Sequence, residues 1–550
     1  MTFVKNPILK GFNPDPSIIR VEDDYYIATS TFEWFPGVQI HHSKDLVNWK
    51  LISRPLNRIS QLDMKGAPDS CGVWAPCLSY DNGVFYLVYS NVKSFSGKWK
   101  DTPNFLVTTT DISGDWSEPI FLDASGFDGS LFHDNNGSKW YTSLLVDHRK
   151  GKMFGGIILQ EYSETLKKLI GPKHHIFEGS DLGLTEGPHI YQKDGYYYLI
   201  TAEGGTEYGH AATIARSKSL IGPYEISPNG PLLTCRNEPN YYLQKSGHAD
   251  LVQTKAGEWI IVFLTGRPLT PLGKCILGRE TSIESIYWPE GEWPTLGSGS
   301  CIPRVEVPLD TSVEPGIEEV NEVYTFDAES LDIEFQSLRV PVSEDWLSLS
   351  KSKGKLCLYG RQSLNSTHEQ SLIARRIQSY KMTASTSLQF NPESFQQMAG
   401  LVCYYNTSHY HYLNVSRNEA GQLCVQLTSH DLFEQSEALA EPLILDIEEG
   451  ANIYLKVEMN GADLKFFYAL EADKWFAIGE VLDATIISDD HVRDGGPSYM
   501  PAFTGAFVGL CCQDLEGHNR PAYFDYFTYK EDEFQFPSSI KKNLSCEISV

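Results

Sequence analysis

The chain has 550 residues, of which 41% are hydrophobic, and a mean hydropathy of -0.28, as expected for a protein with sizeable buried cores. Its 45 Lys and Arg against 71 Asp and Glu give a formal net charge of -26, which argues against binding to nucleic acids or anionic membranes. The length allows three or four domains of about 150 residues, but two large β domains fit equally well.

The cysteines and the N-terminal segment carry information on the cellular compartment. Eleven cysteines include no CxxC pair, so the sequence indicates neither a zinc ribbon nor a secreted disulfide framework. Residues 1–7 lack the basic and apolar regions of a signal peptide. No apolar run approaches the roughly 20 residues of a membrane span. We therefore expect a cytoplasmic protein.

An aromatic strand pattern recurs five times in the first 300 residues. In each copy a turn residue precedes an aromatic residue and apolar β-formers, and the copies lie about 55 to 62 residues apart. The aligned aromatic residues are Tyr25, Phe85, Trp140, Tyr197 and Trp259. A period of this length with strand-like segments is typical of propeller blades of about four strands each. The pattern predicts an all-β protein with a five-bladed β-propeller over residues 1–308.

Chemically distinctive residues occupy equivalent positions about 10 to 12 residues before each aromatic strand. They are Asp15, Trp74, Asp128, Glu186 and His248. Because the innermost strand of each blade lines the central channel, we expect these side chains to converge there. A single Asp in an Asp-Pro turn is more often a turn residue, but three acids in register within a repeat indicate a site.

Three converging carboxylates point to glycoside hydrolysis. That reaction needs one protonated carboxyl to donate to the leaving oxygen and one ionised carboxylate to activate water or to attack carbon. Neighbouring negative charges, and desolvation by an apolar wall such as Trp74, would raise the pKa of one acid toward neutrality.

Four motifs in chain order contain these three acids and Arg279. They are Asn13-Pro14-Asp15-Pro16-Ser17, Gly126-Phe127-Asp128-Gly129-Ser130-Leu131-Phe132, Thr185-Glu186-Gly187-Pro188-His189 and Leu277-Gly278-Arg279-Glu280-Thr281. Together they resemble glycoside hydrolase family 43, in particular its β-xylosidase branch with a C-terminal β-sandwich. The resemblance covers nearly the whole chain.

This resemblance implies roles for four residues. Asp15 matches the general base, Glu186 the general acid, Asp128 the acid that tunes and orients Glu186, and Arg279 the arginine that holds the hydroxyls of the terminal sugar. Arg279 could alternatively form an ion pair that closes a blade. The implied activity is exo-acting, inverting release of D-xylose from the non-reducing ends of 1,4-β-xylo-oligosaccharides, by a homo-oligomer that can be a tetramer. There are two alternatives. The main activity could be that of an α-L-arabinofuranosidase, or the propeller could bind sugar without catalysing a reaction.

The remaining pocket candidates have competing structural interpretations. We expect Trp74 to stack on or wall off the sugar. Phe32 could line the pocket or belong to the core, and Phe127 could point into the pocket or between blades. His248 is expected to be a hydrogen-bonded channel histidine, although the family resemblance suggests that it could contact a bound calcium. We predict no cofactor and no metal.

The second half of the chain lacks the propeller period. Residues 309–321 are acidic, contain Pro and Gly, and are predicted to form a linker. Short alternating segments beyond it predict a β-sandwich, jelly-roll-like, over residues 322–550, which braces the propeller. The family resemblance suggests that an aromatic residue from the 501–509 stretch, either Phe503 or Phe507, reaches across to close the pocket, which would make the enzyme exo-acting.

Overall fold

The computed structural model describes residues 2–150, 153–309, 322–432, 434–439, 441–448, 450–496 and 499–542. Within these ranges nearly all regular structure is β, with one α-helix, α1 (Asp489–Asp494), and 3₁₀ turns at His148–Lys150 and Ala484–Ile487. No helix in the described part of the chain is both long and apolar enough to cross a membrane. The predicted all-β class is confirmed.

Five antiparallel sheets follow one another along the first part of the chain and form the predicted propeller blades. Blade I contains Ser17–Val21, Asp24–Thr29, Gln39–Ser43 and Lys50–Ser53. Blade II contains Gly72–Val73, Cys77–Asp81, Val84–Val92, Asn104–Thr109 and Ile120–Asp123. Blade III contains Ser130–His133, Lys139–Leu144, Ile157–Ser163 and Lys168–Phe177. Blade IV contains Glu186–Lys193, Tyr196–Glu203, Ala211–Ser217, Glu225–Ile226 and Leu233–Thr234. Blade V contains Gln244–Gln253, Trp259–Gly266, Arg279–Tyr287 and Thr295–Leu296.

The five aromatic residues of the sequence repeat all lie in the strand that follows the first hairpin turn of the blade, which is Val84–Val92 in blade II and the second strand in the other four blades. In four blades the residue at the end of that turn is a glycine in the left-handed region, for example Gly195 at φ 72°. Glycine adopts this conformation without a Cβ clash, so the turn can be tight. The repeat was therefore visible because every blade begins with the same hairpin.

Polar contacts join the inner strands of different blades around the channel. The Asp250 carboxylate of blade V accepts hydrogen bonds from the Ser17 hydroxyl (2.9 Å) and the Ile18 N–H (2.8 Å) of blade I. It also accepts one from the Tyr191 hydroxyl of blade IV at 2.5 Å. The Ser17 hydroxyl accepts in turn from the Leu78 N–H of blade II at 3.0 Å. These bonds satisfy a buried carboxylate and fix the blades relative to one another.

Two large antiparallel sheets form the predicted sandwich. Sheet A contains Val323–Thr325, Leu347–Ser352, Lys355–Tyr359, Lys381–Phe390, Ile453–Asn460, Asp463–Ala469, Phe476–Asp483 and Pro521–Glu531. Sheet B contains Gln336–Leu338, Ser371–Arg376, Gln397–Asn406, His409–Arg417, Leu423–Asp431, Glu434–Glu437, Leu443–Ile444 and Phe507–Asp514. The core between them is rich in aliphatic and aromatic side chains that are fully buried.

Sheet B continues into the propeller. The short strand Trp34–Phe35, which follows the second strand of blade I, pairs with Gln336–Leu338 at the edge of sheet B. Trp34 is fully buried there, and its ring stacks on that of Phe507 with centroids 3.7 Å apart. Because one hydrophobic cluster includes side chains of both domains, the two domains are packed as one unit.

The segment between the domains was predicted to be a linker over residues 309–321. Leu309 is the last residue of the strand Glu306–Leu309, which pairs with Thr2–Lys5 at the start of the chain. The rest of the predicted linker, residues 310–321, lies outside the described residues.

The structure describes ten of the eleven cysteines in the sequence, and none of these ten forms a disulfide bond.

A buried ion pair across the domain junction provides a test of this packing. The Arg339 side chain of the sandwich is fully buried and donates to Asp69 of the propeller at 2.7 Å and to the Ala67 carbonyl at 2.6 Å. Arg339→Met keeps most of the apolar volume but leaves the Asp69 carboxylate without its cationic partner, with only the hydrogen bonds from Thr407. We expect the free energy of unfolding to fall by about 3–5 kcal/mol, measured by urea denaturation with tryptophan fluorescence.

The control is an exposed ion pair, Lys255–Asp23, with an N–O distance of 2.6 Å and side chains 73% and 61% exposed. Lys255→Met should cost no more than about 1 kcal/mol, because water screens the pair. Equal effects of the two substitutions would contradict the structural role given to Arg339.

Candidate active site

A small pocket opens at the centre of the propeller, on the side where the sandwich approaches. The empty space inside it, including its mouth, is about 360 Å³. Nine of the ten residues predicted for the site line this pocket. The lining residues are Asp15, Phe32, Trp74, Ala75, Phe127, Asp128, Glu186, Thr206, His248, Arg279 and Phe503.

The three acids reach the pocket because each lies where the chain enters an innermost strand. Asp15 precedes Ser17–Val21, Asp128 precedes Ser130–His133, and Glu186 is the first residue of its strand. Asp15 and Asp128 both have φ 54°, a left-handed conformation that Asp tolerates better than most residues. After Glu186 the same conformation falls on Gly187 (φ 55°), where a Cβ would also lie 2.8 Å from the His248 ring.

Asp15 is held by donors on both of its carboxylate oxygens. Its Oδ2 accepts a hydrogen bond from the Ser30 hydroxyl at 2.6 Å, and its Oδ1 accepts one from Arg279 Nη1 at 3.2 Å. His248 Nδ1 lies 4.0 Å from the same Oδ1. Two donors directed at one buried carboxylate orient it as an acceptor, the state that a general base requires.

Glu186 and Asp128 are shifted toward their protonated forms. Burial is the largest cause for Glu186, and the charge of Asp15 adds to it, so the pKa of Glu186 rises to about 8 despite the opposing charge of Arg279. Burial, followed by the charges of Glu186 and Asp15, raises the pKa of Asp128 well above its usual value. Crowding of carboxyl groups in a desolvated pocket therefore retains protons near neutral pH.

Arg279 connects three parts of the molecule. Besides Asp15, its guanidinium donates to the Thr206 hydroxyl at 2.7 Å and to the Phe503 carbonyl of the sandwich at 2.8 Å. It also lies 5.3 Å from the centre of the Phe32 ring. Arg279 is only 4% exposed. Its ion pair with Asp15 joins blade V to blade I, so the alternative of a blade-closing ion pair is present together with the position of Arg279 in the pocket wall.

Aromatic rings form the remaining walls of the pocket. Trp74 meets Phe127 edge to face, with centroids 4.9 Å apart, and meets Phe503 in the same way at 5.6 Å. Phe32 lies 5.9 Å from Phe503. The Trp74 indole N–H donates to the Ser70 carbonyl at 3.0 Å, which fixes the ring. Such walls exclude water and offer faces for the C–H surface of a sugar ring.

Of the two aromatic residues left open in the 501–509 stretch, the structure brings Phe503 to the pocket. Its N–H donates to the Ser70 hydroxyl at 3.1 Å, and its carbonyl is the acceptor for Arg279. The prediction that Phe507 lines the pocket is wrong. Phe507 begins a strand of sheet B, is fully buried, and stacks on Trp34 in the core that the domains share.

His248 lies beside the acids as a neutral side chain. Burial lowers its pKa to about 4. Within the described residues, no group of three His, Cys, Asp or Glu side chains close enough to share an ion includes His248. Calcium prefers several oxygen ligands, so these surroundings add no support for the calcium that the family resemblance suggested as an alternative. The absence of a cofactor stays a prediction.

The sequence reasoning missed two pocket residues, Thr206 and Ala75, and two supporting residues, Ser30 and Ser70. Thr206 follows Gly204 and Gly205, both at positive φ, in a loop between the second and third strands of blade IV. Ala75 follows Trp74 at the in-register position and could have been inferred from it. Ser30 and Ser70 act through long-range hydrogen bonds that no sequence spacing reveals.

Two kinds of carboxyl group, one held as an acceptor and one shifted toward its protonated form, share a small pocket walled by aromatic residues. This combination of fold and site is that of a glycoside hydrolase.

Comparison with known proteins gives the family. Residues 4–294 match the sequence model "Glycosyl hydrolases family 43", and residues 323–530 match "Beta xylosidase C-terminal Concanavalin A-like domain". The chain is 50% identical to a protein of Bacillus subtilis (strain 168) named "Beta-xylosidase", over 96% of this chain and 99% of that protein. It is 48% identical to "Xylosidase/arabinosidase 43B" of Humicola insolens, over 96% and 98%.

Solved structures agree with these sequence matches. The crystal structure of xylan β-1,4-xylosidase from Bacillus halodurans C-125 superimposes with a TM-score of 0.92 at 50% identity, covering 96% of this chain and all of that one. The chain belongs to glycosyl hydrolase family 43. The propeller and the sandwich predicted from its sequence are thereby confirmed.

The raised pKa of Glu186 predicts how stability depends on pH. Because the folded-state pKa (about 8) lies above the ordinary value (4.5), the folded protein binds this proton more tightly, and stability is lost as pH rises between these values. Glu186→Gln removes this loss. We expect its melting temperature to be close to that of the wild type at pH 5 and to exceed it increasingly up to pH 8, by differential scanning calorimetry.

An exposed acid provides the control. Glu258→Gln, on the surface of blade V, should give a melting temperature that differs from the wild type by the same small amount at every pH. A constant difference for Glu186→Gln between pH 5 and pH 8 would contradict the assigned pKa.

Proposed function

We propose that this protein is an exo-acting, inverting glycoside hydrolase that releases D-xylose from the non-reducing ends of 1,4-β-xylo-oligosaccharides. The observation that carries the proposal is that Glu186, with a raised pKa, shares one small pocket with Asp15, which accepts from Arg279. The names of the Bacillus relatives, a β-xylosidase and a xylan β-1,4-xylosidase, support the choice of substrate.

The proposed reaction is a single displacement. Glu186 donates its proton to the glycosidic oxygen as the bond from that oxygen to the anomeric carbon breaks. Asp15 accepts a proton from a water molecule, whose oxygen forms the new bond to the anomeric carbon from the opposite face. The configuration at that carbon is thereby inverted. Glu186 leaves the step ionised and Asp15 protonated, so a proton must return through solvent before the next turnover.

Asp128 and Arg279 have supporting roles in this proposal. Asp128 lies close enough to Glu186 for the charge of Glu186 to raise the pKa of Asp128, so a state with both carboxyls ionised is disfavoured. Arg279 has donors directed into the pocket beside Asp15. A guanidinium in this place can bind sugar hydroxyls, in line with the role implied by the family resemblance.

The exo mode follows from the shape of the pocket. Phe503 comes from the sandwich and packs within 6 Å of both Phe32 and Trp74, with centroid distances of 5.9 and 5.6 Å. It thereby closes the side of the pocket that a longer chain would need. A pocket closed in this way admits only the terminal sugar, which places the scissile bond one ring from the end.

A second activity is favoured by one relative. The Humicola insolens protein is named a xylosidase/arabinosidase, and α-L-arabinofuranosides present a hydroxyl pattern similar to that of β-xylosides. We propose it as a side activity of the same pocket. A non-catalytic sugar-binding propeller is not favoured, because it would require one of the three acids to be missing or displaced, and all three line the pocket.

Two further proposals rest on sequence and family resemblance. We propose that the protein forms a homo-oligomer such as a tetramer, and that it acts in the cytoplasm on small imported oligosaccharides. Size-exclusion chromatography with light scattering would measure the oligomeric state, and cell fractionation would measure the location.

The roles of the two central acids can be separated by the leaving group. Glu186→Gln should lower kcat/KM on xylobiose by about 10²- to 10⁴-fold, but far less on 2,4-dinitrophenyl β-xyloside, because that leaving group departs without a proton. Asp15→Asn should strongly lower kcat/KM on both substrates, because either substrate needs an activated water molecule. Stopped assays of xylose and dinitrophenol release measure the two effects.

Glu203→Gln serves as the matched control, since Glu203 is a buried acid of the same blade as Glu186 that hydrogen-bonds Ser180 and Thr185 outside the pocket. Glu203→Gln should leave the ratio of kcat/KM on xylobiose to kcat/KM on 2,4-dinitrophenyl β-xyloside unchanged. Equal losses on both substrates for Glu186→Gln would reject Glu186 as the proton donor.

If one pocket serves both activities, Asp15→Asn should lower the hydrolysis of 4-nitrophenyl α-L-arabinofuranoside in parallel with that of the xylosides.

The exo and inverting character predicts a particular order of products. With xylotriose reduced at its end to the alditol, the first products should be xylose and the xylobiose alditol, and the first xylose should be the α-anomer. Proton NMR during the first minutes, with high enzyme concentration, distinguishes the anomers before mutarotation. Initial release of the free xylose alditol, or of β-xylose, would contradict the proposed mode.

A further inference from the structure

A cluster of two histidines and one aspartate lies on the sandwich side of helix α1, outside the pocket. His409 is the first residue of one strand of sheet B, and Asp431 is the last residue of the next strand. The two are direct cross-strand partners in the antiparallel register. His491 comes from helix α1. One ligand-type atom from each of the three side chains lies within 4.8 Å of the other two.

The distances show how the three groups face one another. His491 Nε2 lies 2.9 Å from each of the two carboxylate oxygens of Asp431. His409 Nε2 lies 3.5 Å from Asp431 Oδ1. The two imidazole rings are nearly perpendicular, with an interplanar angle of 82° and centroids 5.9 Å apart. All three side chains therefore direct their ligand atoms at one small volume.

The hydrogen bonds of His409 determine which of its nitrogens carries the proton. Asn406 Oδ1 accepts the Ser408 N–H at 2.9 Å, which identifies that atom as the amide oxygen. His409 Nδ1, 3.0 Å from the same oxygen, must therefore be the donor. In the neutral ring this leaves Nε2 with a free lone pair.

Within the part of the chain that the structure describes, that lone pair has no hydrogen-bond partner. His409 is fully buried, and its Nε2 is an unsatisfied buried atom facing the Asp431 carboxylate. A lone pair opposite a carboxylate is unfavourable unless a proton or a cation lies between them. A cation bound between Nε2 and the carboxylate would satisfy both groups.

We propose that His409, Asp431 and His491 bind a divalent transition-metal ion of the Zn²⁺ class. Two imidazole nitrogens and one carboxylate are a ligand set that zinc accepts, with bonds of about 2.0–2.2 Å and neighbouring ligands about 3.3 Å apart. Asn406 supplies the second-shell hydrogen bond that typically fixes a ligating histidine.

Solvent has access to this site from one side. The His491 and Asp431 side chains are 32% and 37% exposed, whereas His409 is fully buried. An ion can therefore enter without unfolding the sheet, and a water molecule can occupy the fourth position. The exposed helix side chain has to move by about an ångström to reach bonding distance.

Such an ion would strengthen the attachment of helix α1 to sheet B. The two already contact each other through His491 and Asp431. The opposite side of the helix is already bound to the propeller, where Asp489 pairs with the buried Lys245 at 2.9 Å and Asp490 accepts from the Cys275 N–H at 2.9 Å. The chain continues from this helix toward Phe503. The metal would thus stabilise the segment that closes the pocket without touching the substrate.

The test is metal binding by the full, tag-free chain after treatment with a chelator and removal of that chelator. Isothermal titration with ZnCl₂ should show one ion per chain, and Co²⁺ should give visible absorption bands of the intensity typical of four-coordination. His491→Ala and Asp431→Asn should each weaken Zn²⁺ binding at least about 100-fold, more than the loss of a second-shell partner. Zn²⁺ should raise the melting temperature of the wild type but not of these variants.

His518→Ala is the matched control. His518 also lies near an acid, Glu516 at 3.8 Å, but among the described residues it belongs to no group of three ligand side chains. It should bind Zn²⁺ as the wild type does. The proposal is overturned if the wild type shows no saturable 1:1 binding, or if His491→Ala and Asp431→Asn bind as tightly as His518→Ala. Neither outcome depends on glycosidase activity.

Discussion

The guanidinium of Arg279 is the interaction on which the site depends. It is buried, so its charge must be matched by an acceptor of opposite sign, and that acceptor is Asp15. The same group donates to Thr206 in blade IV and to the Phe503 carbonyl in the sandwich. The hydrogen bonds of this one side chain therefore form only when blades I, IV and V and the sandwich are correctly placed relative to one another. The geometry of the acids is in this way tied to the assembly of the whole chain.

The electrostatics of the pocket separate the acids by environment. Asp15 has the arginine and a serine hydroxyl as donors, whereas Glu186 lies in a desolvated region, where the charge of Asp15 adds to the effect of burial on its pKa. Asp128 adds a third carboxyl that is raised in the same way. One fold thereby keeps a proton acceptor and a proton donor side by side at neutral pH. The aromatic walls contribute by keeping water, and hence screening, out of the site.

The sandwich is a structural part of the active site. It supplies Phe503 as one wall, takes the propeller strand Trp34–Phe35 into sheet B, and places Arg339 beside Asp69. Helix α1 lies at the junction, with Lys245 of the propeller paired to its first residue. Removing the sandwich would therefore expose the shared aromatic core and open the pocket, rather than detach an independent binding module.

The sequence by itself determined the blades and the convergence of Asp15, Asp128 and Glu186, because these depend on a local hairpin repeated at a nearly constant spacing. Each acid stands at the entry of an inner strand, and strand register carries that position to the channel. Only the tertiary structure decided between Phe503 and Phe507, since that choice depends on Trp34, more than 400 residues away, which stacks on Phe507 and holds it in the core. The sequence did not predict Thr206 as a pocket residue for the same reason. Its role arises from a contact with Arg279 across two blades, and such long-range contacts leave no periodic trace in a single sequence.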